Sequence, residues 1–168
     1  MSGYCTKEGE LWCDEVQVAA IARAAGTPVH IYSGNAIDDR YRALDSAFGR
    51  RRHRIHYAIK ANATVAVVRR LRELGAGADA NSAGEIEVAR RAGFRPDEIV
   101  FTGVGKTPAE LGWAVGLGLA AINAESPGEM GRIADLAAAQ GRQARVAVRI
   151  NPDIDAGSHP HISTGLSA

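Results

Sequence analysis

A chain of 168 residues with a formal net charge of +1 is long enough for one domain with a sizeable core, and its balanced charge offers no electrostatic basis for a nucleic-acid or membrane-surface role. Its opening residues, MSGYCTKEGE, are polar and no apolar run approaches membrane-spanning length, so neither a signal peptide nor an anchor is expected. Cys5 and Cys13 lie outside any CxxC pair and have no Cys or His partners at zinc-ligand spacing, which suits two free thiols in a reduced, cytoplasmic protein and predicts no metal site.

Along the chain, a short helix is predicted over 14–25, then a turn and strand in GTPVHIYS, then a helix over 35–48. In IHYAIKA, Ile55, Tyr57 and Ile59 alternate with His56 and Ala58, the period of a strand. The next helix carries Val65, Val68, Leu71 and Leu74 on one side and ends at Gly75. A strand in GADANS leads to a helix over 83–92, with Gly93 as its stop. A strand in EIVFTG precedes a helix over 108–115, and one in LAAINAES precedes a helix over 127–140. Pro108 and Pro127 both suit a first helical turn. RVAVRINP supplies the last strand.

Five strands alternating with four connecting helices imply right-handed crossovers and a parallel sheet. At this count a doubly wound sheet would be nearly complete and an eight-stranded barrel about half built. The pattern alone does not choose between them.

Three local motifs carry little. The basic run GRRRHR (49–54) reads as a solvated loop. VFTGVGKT ends like a phosphate-binding loop, but Val100 stands where the pattern needs its first glycine. GAGADA follows a helix and precedes a strand, the reverse of a dinucleotide-binding turn.

The informative residues sit at the ends of strands. Lys60 closes the first strand, and Asp79 and Ser82 close the second. Thr102, Gly103 and Lys106 follow the third, Glu125 ends the fourth, and Arg149 and Asn151 end the fifth. Polar groups at the carboxyl edge of parallel strands are where ligand chemistry gathers. Each also has a plain structural reading: Ser82 can cap the following helix, Glu125 or Ser126 the fourth. Glu85 and Glu87 suit a first helical turn or solvent. Arg149, in a core-like strand, is expected to be largely buried against an anionic partner. A lysine amine has an ordinary pKa of about 10.4. Desolvation and neighbouring cations lower it, leaving a neutral nucleophile for an aldehyde such as pyridoxal phosphate, an electron sink for carbanions.

YAIKAN, GAGADANSAGEIEVARRAGF, IVFTGVGKT, INAES and VRINPDIDAGSHPHISTGL, in this order, resemble the diaminopimelate decarboxylases. These are pyridoxal-phosphate enzymes of the alanine-racemase-like barrel type, and the resemblance covers 27–166. It implies an α/β fold, a parallel (β/α)8-type barrel of which about the first half is present. Residues 1–34 would join the β-domain of homologues, and 35–168 would begin the cofactor-binding barrel. Lys60 resembles the lysine that carries the cofactor, with Tyr57 on the strand before it. Asp79 resembles the acidic residue near cofactor and lysine, within a motif that includes Ser82, and Arg149 the strand arginine near the cofactor ring. His159, Ser163 and Thr164 match the start of a mobile active-site loop.

The implied reaction is decarboxylation of meso-2,6-diaminopimelate to L-lysine and carbon dioxide, in a cytoplasmic homodimer without nucleic-acid or membrane partners. Related enzymes acting on ornithine, arginine or carboxynorspermidine share the wider motif, and a non-catalytic truncated remnant is the alternative of another class. The resemblance also implies that the rest of the barrel and a C-terminal β-domain are absent here, and that the 168-residue chain alone is a fragment without activity.

Overall fold

At Glu8–Gly9 the chain reverses through two residues with positive φ, 52° and 80°, a combination that matches the twist of a two-residue hairpin. In the computed structural model, which describes residues 3–151, this turn joins β1 (Tyr4–Lys7) to β2 (Glu10–Cys13), with Tyr4 opposite Cys13. A short β3 (Val16–Gln17) pairs with the other edge of β2. The helix predicted over 14–25 is therefore shorter: α1 spans Val18–Ala25. Asp14 has φ 54° and cannot open a helix. Its carboxylate instead accepts from the Ser33 hydroxyl at 2.6 Å and the Asn35 amide at 3.3 Å. The strand expected in GTPVHIYS does not form: 28–33 is irregular and has no partner strand among the described residues. Alternating Val29 and Ile31 favour extended backbone, but a strand requires a neighbour to hydrogen-bond.

From Ser33 onward the predicted order holds. Ser33 caps α2 (Gly34–Ala47) by accepting from the Ala36 amide. β4 (His56–Ala58) is followed by a 3-10 turn (Ile59–Ala61) and α3 (Val65–Glu73). Then come β5 (Gly77–Ala80), α4 (Ala83–Arg91), a 3-10 turn (Pro96–Glu98) and β6 (Ile99–Phe101). α5 (Pro108–Leu117), β7 (Ala121–Ala124), α6 (Pro127–Ala139) and β8 (Val146–Val148) complete the series. Strands β4 to β8 follow in chain order in one five-stranded sheet, and the β6–β7 and β7–β8 pairs are parallel.

Two compact units share these elements: one holds the residues up to Ala78 together with Glu87–Phe94, the other Asp79–Ile86 and the residues from Arg95 onward. In the first, Val67, Leu71 and Ala76 form a core against which Ile37, Tyr41, Tyr57 and Leu74 pack. Gly77 is required there, because a Cβ would fall 2.6 Å from the His56 ring. In the second, strand alternation separates two faces. Ile99, Phe101, Ile122 and Ala124 are buried, while Val100, Thr102, Ala121 and Asn123 are half-exposed. α5 lies against α6, with Gly112 facing the Leu136 side chain. Among the described residues no helix is long and apolar enough to cross a membrane.

Candidate functional site

Lys60 stands on the 3-10 turn after β4 and not within the strand, a correction to the reading of IHYAIKA as one strand. The turn is closed by the Asn62 amide donating to the Ile59 carbonyl at 3.1 Å. Asn62 in turn accepts from the Thr64 amide through Oδ1 at 2.9 Å, so the backbone on both sides of the turn is held. Ile59 is fully buried while Lys60 is exposed. One apolar anchor thus fixes the turn and directs the next side chain outward. Among the described residues the Lys60 amine has no hydrogen-bond or ion-pair partner. Tyr57, two residues into β4, donates its hydroxyl to the Asn62 carbonyl at 3.2 Å, and burial raises its pKa.

The second unit gathers the other strand-end groups into a connected chain. Thr102 Oγ1 donates to Asp79 Oδ1 at 2.5 Å, and Asn123 Nδ2 donates to Thr102 Oγ1 at 3.0 Å. The Asn123 carbonyl accepts from Lys106 Nζ at 2.7 Å, and the same amine meets Glu129 Oε2 at 3.1 Å. Lys106 and Glu129 are sealed, with 1% and 4% of their side chains exposed. Lys106 also lies 5.6 Å above the centre of the Phe101 ring. The Gly-Lys-Thr sequence therefore spends its lysine on a buried ion pair, where no nucleotide phosphate can reach it. Glu129 Oε2 further accepts from the Glu125 amide at 2.8 Å, and the Glu125 carboxylate pairs with Arg149 at 3.1 Å.

Ser82 accepts from the Glu85 amide at 3.2 Å, and Glu85 accepts from the Asn81 amide at 2.7 Å. This reciprocal pair opens α4, so Ser82 acts as a cap. Arg149 has the anionic partner that was expected, but not the burial: its side chain is half exposed and β8 is exposed throughout. The half-exposed strand face, not a packed core, is where this arginine emerges. Asn123 and Glu129 escaped the sequence reading as individual site residues. The Ser126-x-x-Glu129 spacing is a capping signature that could have flagged Glu129. His159, Ser163 and Thr164 lie outside the described residues. Among the described residues no cluster of His, Cys, Asp or Glu could hold a metal ion.

Parallel strands carrying an unpartnered amine, and a carboxylate fixed by one oxygen, at their carboxyl ends define an α/β domain of the cofactor-binding kind. Over residues 34–168 the chain matches the family described as pyridoxal-dependent decarboxylase, pyridoxal binding domain, and it belongs to that family. Its cofactor is pyridoxal phosphate. The chain is 42% identical to the diaminopimelate decarboxylase of Vibrio cholerae over 160 residues, which are 95% of this chain and 38% of that protein. It is equally identical to the Aquifex aeolicus enzyme of the same name, with the same coverage. Among solved structures, the diaminopimelate decarboxylase from M. jannaschii superposes with a TM-score of 0.88 at 34% identity, covering 97% of this chain and 39% of that one. The Helicobacter pylori enzyme complexed with L-lysine gives 0.81 at 40% identity, covering 88% and 38%. The chain thus spans about two fifths of the length of its relatives, in keeping with a partial barrel.

The side chains present suit the group in the parts they can supply. The exposed primary amine of Lys60 matches its aldehyde.

Proposed function

We propose that this chain is the N-terminal part of a decarboxylase that converts meso-2,6-diaminopimelate to L-lysine and carbon dioxide, the last step of lysine synthesis. The observation that carries the proposal is Lys60. It is an unpartnered amine on a turn held at both ends, in a chain about 40% identical to several diaminopimelate decarboxylases. Bound pyridoxal phosphate supplies an electron sink for the pair released when the carboxylate leaves.

Lys60 would hold the cofactor through Nζ. Tyr57, with its hydroxyl tied to Asn62, keeps the strand end rigid before that lysine. Asp79 would accept a hydrogen bond from the cofactor or substrate, Ser82 keeps the start of α4 formed beside it in sequence, and Arg149, paired with Glu125, would contribute positive charge to the cofactor's surroundings. Residues 1–34 belong with a β-domain, and the working protein is a cytoplasmic homodimer with no nucleic-acid partner. The lysine/ornithine decarboxylase of Vibrio vulnificus is a weaker match, at 25% identity and a TM-score of 0.69, which favours diaminopimelate over ornithine as substrate.

The test uses the full-length protein. Borohydride reduction with pyridoxal phosphate should place a pyridoxyl group on Lys60, read by peptide mass spectrometry, and meso-diaminopimelate should yield L-lysine faster than ornithine yields putrescine. A pyridoxyl group on another lysine, or a preference for ornithine, overturns the assignment.

A further inference from the structure

The hydrogen bonds around Asp79 run in one direction. Thr102 has one hydroxyl proton. Asn123 Nδ2 donates to the Thr102 oxygen, so that proton is free to be given, and Asp79 Oδ1 lies 2.5 Å away to receive it. A reversed Asn123 amide would put two acceptors on one hydroxyl, which a single proton cannot serve. Asn123 is itself anchored, because its carbonyl accepts from the sealed Lys106 amine. The series Lys106, Asn123, Thr102 ends at one oxygen of Asp79, and Oδ2 of the same carboxylate has no partner among the described residues.

We infer that Thr102 and Asn123 are positioning residues that hold the Asp79 side chain as a hydrogen-bond acceptor, with Oδ2 kept for an N–H or O–H donor on the bound cofactor or substrate. This rests on the pyridoxal-phosphate reading of the chain. Nothing in it requires Thr102 or Asn123 to touch the ligand; each acts through Asp79. The alternative is that the same bonds only tie the strand ends together, and then only stability depends on them.

The experiment compares cofactor-loaded full-length wild type with Thr102→Val, Thr102→Ser, Asn123→Ala and Thr102→Val/Asn123→Ala, reading the pH titration of the bound chromophore's absorbance. A held acceptor favours the protonated form of its donor. Thr102→Val should therefore lower the titration midpoint, by about half a pH unit or more for one lost charge-assisted hydrogen bond. Asn123→Ala should shift it the same way by less. The double variant should shift no further than Thr102→Val, because the residues act in series, and Thr102→Ser should restore the wild-type midpoint. Thr102→Val and Asn123→Ala midpoints that coincide with wild type overturn the inference, even if both proteins are less stable. Borohydride fixation on Lys60 separates the two ideas. Fixation with unmoved midpoints removes the positioning role alone, whereas no fixation in wild type removes the pyridoxal reading and this inference with it.

Discussion

At the scale of single residues, the largest energetic commitment is the Lys106–Glu129 pair. Two charges removed from water are tolerable because each has a second partner, the Asn123 carbonyl for the amine and the Glu125 amide for the carboxylate. Replacing Lys106 by Met leaves Glu129 buried and uncompensated, which costs about 3–5 kcal/mol. Urea unfolding should show this as a lowered midpoint, with part of the loss recovered in Lys106→Met/Glu129→Gln. His53 makes a prediction with a pH sign. Its Nδ1 meets the Arg51 carbonyl at 2.8 Å and its Nε2 the Asp45 carboxylate at 2.9 Å, while the ring stacks on Phe48. Two acceptors on one ring favour the imidazolium, and the pKa is raised, chiefly by the Arg51 carbonyl and then by Asp45. A raised pKa contributes stability that is fully present below the ordinary histidine value of about 6.5 and is lost as pH rises through the folded-state value. The His53 ring protons should titrate above their free-peptide midpoint by NMR, and Asp45→Asn should bring that midpoint down.

Individual elements begin where their caps dictate. Thr107 accepts from the Glu110 amide, and Glu110 returns to the Thr107 amide and reaches the Ala83 amide as well. These amides and the Thr107 hydroxyl hold the Glu110 carboxyl below its usual range. Thr107→Ala should cost about 1 kcal/mol, measured by thermal unfolding. Several helices were legible in the sequence for this reason: Ser82 and Ser126 stand where a cap is needed, and Gly75 and Gly93 supply the positive φ that ends a helix. The hairpin at the N-terminus was not legible. Its strands are short and its side chains mostly exposed, so no apolar alternation marks them. GTPVHIYS failed in the opposite way, because its alternation was right but strand formation depends on a neighbour that local sequence does not reveal. The end of the strand before Lys60 was located to within two residues. The place of Lys60 on a tight turn and not in the strand came from Ile59, whose burial closes the strand early.

For the whole molecule, the last strand of the five-stranded sheet is exposed at every position. Val146, Val148 and Ile150 keep 39%, 58% and 77% of their surface in water. Among the described residues β8 pairs with β7 and with no strand beyond it. An apolar edge of this kind is a template for intermolecular pairing. The 168-residue polypeptide expressed alone should elute from size exclusion as concentration-dependent oligomers, and Val148→Lys should reduce them. It should also form no lysine from diaminopimelate, since it spans about two fifths of its relatives. Lysine production by the isolated polypeptide would overturn that expectation. The motif sequence was sufficient for the family because strand-end residues are set by chemistry. The relation of Asp79 to Thr102 and Asn123 was not readable, because it joins positions 23 and 21 residues apart through side chains.

The sealing of Lys106 also makes the chain an unusually selective target for amine reagents. Of its twenty basic Lys and Arg residues three are lysines, Lys7, Lys60 and Lys106. Lys7 lies over the Trp12 ring in the hairpin, and Lys106 is closed to solvent. An acylating probe added in small excess should therefore modify Lys60 and Lys7 and spare Lys106 until the fold opens. The appearance of label at Lys106 would then report unfolding of the second unit, while label at Lys60 would report an accessible amine in native protein.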